Sequence, residues 1–198
     1  MPPPYYIPAN RHRVTDSIKR SKFITTLAHA ASPEEAKKVI AGIKAEFRDD
    51  NHNCWAYIAG PPGDTAQCGL SDDGEPHGTA GKPMLNVLRH CNVGEILAVV
   101  TRYFGGIKLG TGGLVRAYAG GVQQALDTLV RIEKRTWVPG AVAVDYKQLE
   151  SVKRLLTVAG ARVVNEAYGA RVGIEYEVPE ESLPELDARL TRLVRNKK

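Results

Sequence analysis

Twelve of the chain's nineteen glycines fall between residues 69 and 121, eight of them in two clusters at 74–81 and 105–113, each directly ahead of a helical pattern. Glycine at such places keeps the approach to a helix open and permits a positive φ. Between the clusters, residues 95–101 read Glu-Ile-Leu-Ala-Val-Val-Thr, an apolar run too short for a helix and rich in β-branched residues. That composition predicts a strand buried on both faces. The whole stretch therefore reads as loop, helix, strand, loop, helix.

A helix N-terminus behind a glycine loop points several backbone N–H groups, and the positive end of the helix dipole, at whatever lies above it. Two such ends beside one strand would make an anion site. Lys82 opens the first helix, Arg102 closes the strand, Lys108 sits in the second loop ahead of Thr111, Gly112 and Gly113, and Arg116 follows one turn into the second helix. Glu75 and Glu95 are the acids between residues 74 and 121, against Lys82, Arg89, Arg102, Lys108 and Arg116, a balance suited to a phosphate-bearing partner. Neither common nucleotide motif fits. A P-loop fails because Pro76 takes the first glycine position and Pro83 follows Lys82, and a dinucleotide fingerprint fails because Val115 stands where its third glycine belongs. Turn chemistry and close helix packing account for the same glycines, since Gly113, Ala117 and Gly121 form a small-residue stripe at a spacing of four.

Elsewhere the pattern is that of a globular protein of 198 residues, 43% hydrophobic and 25% charged, with no apolar run long enough to span a membrane. Residues 1–6 lack a signal pattern, and Cys54, Cys68 and Cys91 give no disulfide framework, so a cytoplasmic location is expected. Net charge is +5, and residues 11–22 carry five basic side chains, Lys19, Arg20 and Lys22 among them, against Asp16 alone. Residues 13–19 and 22–29 read as a hairpin turning at 19–21. Ser32-Pro33-Glu34-Glu35 is a helix start with a capping box, and Ala36, Val39, Ile40, Ile43 and Phe47 mark the buried face of a helix ended by Asp49-Asp50-Asn51. A strand over 54–59, helices over 82–90 and 111–130, and a weaker strand between that strand and the first of these helices complete the order β-β-α-β-(β)-α-β-α. The charged segment 131–137 is expected to be a boundary, giving units 1–133 and 134–198. The second reads as strand 137–144, helix 147–159, strands 161–168 and 170–178, and helix 181–194, a β-α-β-β-α order that suggests a ferredoxin-like domain. The fold class is thus α+β.

Several motifs together resemble the signature of the IMPACT family, and its bacterial YigZ-like members best. They are Ser71-Asp72-Asp73-Gly74-Glu75-Pro76, Gly78-Thr79-Ala80-Gly81-Lys82-Pro83, Arg102-Tyr103-Phe104-Gly105-Gly106 and Leu109-Gly110-Thr111-Gly112-Gly113-Leu114-Val115-Arg116. The likeness extends through Lys19-Arg20-Ser21-Lys22-Phe23-Ile24 and His52-Asn53-Cys54-Trp55 and covers nearly the whole chain. It implies an N-terminal α/β sandwich like that of the small-subunit ribosomal protein five superfamily, a small second domain, and a role in translation control.

Three functions are compatible with these residues. The first is a non-catalytic protein that holds structured RNA or the ribosome through Lys19, Arg20, Lys22, Lys82, Arg102, Lys108, Thr111, Gly112, Gly113 and Arg116, positioning phosphates without reading bases, with a protein partner at the C-terminal domain. The second is protein binding alone. The third is a small-molecule kinase or phosphohydrolase, for which Asp72, Asp73, Glu75 and His77 could hold a hard metal or supply acid and base groups, though the same acids are what a tight turn wants. Cys54, Cys68, Cys91, His52, His77 and His90 lack the paired spacing of a zinc site, and neither a metal nor a cofactor is expected.

Overall fold

The structure is a computed structural model that describes residues 4–47 and 52–195. The chain divides into two compact units after Lys134.

The first unit is built on a five-stranded antiparallel sheet in the order β2-β3-β6-β4-β5. Its strands are β2 (His12–Ile18), β3 (Ser21–His29), β4 (His52–Ile58), β5 (Cys68–Ser71) and β6 (Ile96–Tyr103). The apolar run read as a doubly buried strand is β6, at the centre, with its first seven residues buried. On one face lie α2 (Gly81–His90) and α3 (Thr111–Thr128), packed on Phe23, Leu27, Cys54, Ala56, Val100 and their neighbours. On the other, α1 (Pro33–Glu46) buries Ala36, Ile40 and Ile43 against Tyr57, Leu97 and Val99. The alternation of β6 therefore splits between two cores.

Local rules set the helices. Ser32 Oγ accepts from the Glu35 N–H, while the Glu35 carboxylate reaches back to the Ala31 N–H, one residue earlier than the expected capping box. The predicted stop at Asp49-Asp50-Asn51 lies outside the described residues. In α3, Leu114, Ala117, Tyr118, Val122, Ala125 and Leu126 are buried, and the small-residue stripe lets the helix settle on the sheet. A Cβ on Gly121 would stand 2.6 Å from Thr25 Oγ1, so that contact requires glycine.

The first half of the segment 131–137 is a strand that the sequence reading did not place: β7 (Arg131–Lys134) pairs antiparallel with β1 (Tyr5–Pro8) in a separate two-stranded ribbon. All four β7 side chains are exposed, which is why no core pattern marks them. The ribbon is anchored by Glu95, which takes the Tyr5 hydroxyl at 2.8 Å and His29 Nε2 at 2.7 Å and also pairs with Lys134. Glu95 has a φ of 47° and precedes β6 instead of starting it.

In the second unit, β8 (Trp137–Val144), β10 (Val172–Pro179) and β9 (Arg162–Tyr168) form an antiparallel sheet in that order. Val172, Ile174, Tyr176 and Val178, at alternate positions of β10, are buried with Val152 and Leu156 of α4 (Leu149–Val158) and Leu186 and Leu190 of α5 (Leu183–Arg195). The observed order is β-α-β-β-α.

Candidate anion-binding site

The two helix ends behind the glycine clusters have different fates. At α2, the Asp72 carboxylate accepts from the N–H groups of Ala80, Gly81 and Gly78, at 3.0, 2.8 and 2.7 Å. The positive end of that helix is closed by the chain itself. Burial raises the Asp72 pKa, but the Gly78, Gly81 and Ala80 N–H groups, with His77 nearby, outweigh it and hold the carboxyl below its ordinary range. Asp73 is engaged as well, by Lys44 Nζ at 2.6 Å and the Asn53 N–H at 2.8 Å. The acidic loop thus acts as a brace that ties α1, β4 and α2 together.

At α3 the end is open. Its N-cap is Gly110, which has no side chain to close it, and the first turn carries no acid. Leu114 N–H makes the first bond within the helix, to the Gly110 carbonyl, which leaves the N–H groups of Thr111, Gly112 and Gly113 for an outside acceptor. Gly110 and Thr111, at the head of this turn, line a pocket of about 370 Å3 together with His52, Glu75, Arg102, Phe104 and Lys108.

Arg102 forms part of the wall. It is 6% exposed, opposite Phe23 in the β3–β6 ladder, and its guanidinium lies 5.6 Å from the Phe23 ring and 5.5 Å from that of Phe104. Nη1 donates to Glu75 Oε1 at 2.7 Å, Nη2 reaches Ser21 Oγ at 3.4 Å, and Nε has no acceptor, the one such buried side-chain atom among the described residues. Glu75 Oε1 also accepts from the Tyr118 hydroxyl at 2.8 Å. Behind it, Cys54 Sγ stands 2.9 Å from the Asp72 carbonyl and 3.4 Å from the Tyr118 hydroxyl. Burial pushes the Cys54 thiol up to about 12, and burial with the neighbouring Cys54 and Glu75 pushes the Tyr118 phenol up as well. Both stay protonated at neutral pH.

The structure brings some predicted residues together and separates others. Lys19 and Arg20 form the tip of the β2–β3 hairpin, both at positive φ, and the loop after β6 rests on it: a Cβ on Gly105 would fall 2.0 Å from the Arg20 carbonyl carbon. Lys108, Thr111, Gly112 and Gly113 share the open α3 end, and Arg116 is exposed one turn on. Arg102, expected as an exposed phosphate ligand, is buried in an ion pair. Lys22 pairs opposite Tyr103, one residue from the Phe23–Arg102 pair, so pleating sends it to the other face. Lys82 is exposed on α2, whose end Asp72 occupies. Sequence reasoning missed Phe104 and His52. For Phe104 the signal was an aromatic set between a strand and two glycines, where no core needs it. Among the described residues no cluster of three or more His, Cys, Asp or Glu could hold a metal ion, and no helix is long and apolar enough to cross a membrane.

Comparison with known proteins agrees with this architecture. The family profile of the Impact N-terminal domain matches residues 19–126, and a domain of unknown function, DUF1949, matches residues 142–197. IMPACT family member YigZ of Escherichia coli K12 is 46% identical over 186 residues, covering 94% of this chain and 91% of that one. IMPACT family member YvyE of Bacillus subtilis is 35% identical over 189 residues, covering 96% and 85%. A crystal structure of a protein described as hypothetical superposes with a TM-score of 0.70 at 44% identity, over 100% of this chain and 96% of the other. With one profile spanning more than half of its residues and such relatives along nearly all of its length, the chain belongs to the IMPACT family.

Proposed function

We propose that this chain is a non-catalytic binding protein that acts in the regulation of translation by holding phosphate groups of structured RNA or the ribosome on its first unit. The observation that carries the reading is the open N-terminus of α3, uncapped and free of acids, above a pocket edged by Lys108 and lined by Arg102. Helix ends of this kind favour anions. The hairpin tip with Lys19 and Arg20 adds positive charge beside the loop after β6. Phosphate contacts of this sort set position and affinity and carry no base sequence. Membership of the IMPACT family supports translation as the setting. The second unit is left to orient the first or to meet a protein partner.

The test is binding of structured RNA across a salt series. Affinity is expected to fall with salt, each neutralised phosphate contributing a log–log slope of roughly −0.7 to −0.9. A Lys19→Glu/Arg20→Glu/Lys108→Ala variant should lose affinity and slope together at unchanged melting temperature. No binding at low salt by the parent protein would remove RNA from the reading and leave protein binding.

A further inference from the structure

We infer that the pocket over Arg102 is a site for one unpaired nucleotide, its phosphate at the α3 N-terminus and its base against Phe104. The inference rests on the reading of the first unit as an RNA-binding surface and narrows it to one element of the ligand.

Three independent features meet at this pocket. The N–H groups of the first turn of α3, at Thr111, Gly112 and Gly113, have no acceptor from the chain, and the turn's head, Gly110 and Thr111, lines the pocket with Lys108. A single phosphate matches that donor set in size and charge. Arg102 is more than nine-tenths buried, yet its Nε lacks an acceptor. Buried donors are nearly always satisfied, so an unpartnered donor on a side chain that lines the pocket calls for an acceptor. Glu75 also lines the pocket, and its charge is answered by Arg102 Nη1 and the Tyr118 hydroxyl, so it does not repel an incoming phosphate as a free carboxylate would.

Phe104 distinguishes a nucleotide from bare phosphate. Its ring is 58% exposed and is held by the Arg102 guanidinium at 5.5 Å. Stacking on such a ring holds any base, because every base has a π-face. The ring, with Leu109 and Leu114 in the same lining, supplies the apolar part of a pocket whose volume of about 370 Å3 suits a small ligand. A base within a duplex keeps its own stacking partners, so the occupant is an unpaired residue.

The experiment titrates the full-length protein calorimetrically with UMP, CMP, AMP, GMP, uridine and inorganic phosphate, beside fluorescence binding of a single-stranded and a duplex RNA oligonucleotide. The four mononucleotides should bind saturably and uridine should not. Lys108→Ala should weaken mononucleotides and inorganic phosphate alike, by about tenfold, whereas Phe104→Ala should weaken the mononucleotides by a similar factor and leave inorganic phosphate unchanged. Both side chains are exposed, so melting curves should match the parent. Absence of saturable mononucleotide binding, or equal binding by parent and Phe104→Ala, would overturn the inference. RNA binding that both variants keep, and that Lys19→Glu/Arg20→Glu loses, would also overturn it while leaving the RNA reading intact. Mononucleotide binding with no RNA binding would remove the RNA reading and keep the nucleotide site.

Discussion

Arg102 Nη1 donates to Glu75 Oε1 at 2.7 Å where both side chains are more than nine-tenths buried, so the wall of the pocket is an ion pair almost without solvent. Breaking such a pair from one side leaves an uncompensated buried charge, at a cost of about 3–5 kcal/mol. Glu75→Ala should therefore lower stability by that amount. Glu75→Ala with Arg102→Met should cost less than the two single changes added together, because neither orphan charge survives. A double-mutant cycle by urea unfolding measures the coupling. Strict additivity would mean that the pair does not act as a unit.

Asp72 gives a pH signature. Its folded pKa is depressed, so its contribution to stability is present above the unfolded value of about 3.9 and is lost as pH falls through the lower folded value. Asp72→Asn should cost about 1 kcal/mol or more at pH 7 through weaker capping of α2. The gap between parent and variant should shrink as pH drops below about 4. Urea midpoints at pH 7, 5 and 3 check it, and a constant gap would show that the carboxylate charge is not what holds the helix end.

Cys54 should behave as an inert core residue. With its thiol pushed up to about 12 and its surface fully covered, the nucleophilic thiolate is absent at neutral pH. Thiol titration with an aromatic disulfide reagent at pH 8 should leave Cys54 unlabelled in the native protein and label it after denaturation, with peptide mapping to locate the adducts. Rapid native labelling at Cys54 would mean that the core beneath the pocket opens readily.

Gly105 fixes the loop after β6 against the hairpin tip. A methyl there meets backbone, the Arg20 carbonyl carbon and oxygen at 2.0 and 2.1 Å, and no side chain can swing aside to admit it. Gly105→Ala should cost about 1–3 kcal/mol as overpacking. It should also weaken RNA binding by displacing Lys19 and Arg20 from the loop. The control is Gly106→Ser, whose Cβ meets nothing within 4 Å but whose φ of 82° strains any side chain. If Gly105→Ala affected only stability, the hairpin tip would not belong to the binding surface.

What could be read from the sequence was local or periodic. The double burial of β6, the buried stripe of α3 and the alternation of β10 each repeat a pattern that the fold then uses. The open end of α3 was equally readable, because glycines with no acid nearby signal it directly. What escaped depended on partners far along the chain. Asp72 caps a helix eight and nine residues downstream, Glu75 neutralises a residue twenty-seven positions away, and β7 pairs with a strand at the other end of its unit. The sign of a charge is visible in one residue, but whether it faces water or another charge is settled only when the strands are in register.

The β1–β7 ladder carries a further consequence. Tyr5 lies across from Lys134, so the first and last strands of the unit end side by side, and the 128 residues of chain between them form nearly a closed ring. Adjacent ends make a protein reconnectable. Joining residue 4 to residue 134 through a short linker and opening the turn at residues 61–64 would reorder the gene while leaving every strand pairing of the first unit in place. The architecture around the pocket is in that sense indifferent to where translation of it starts.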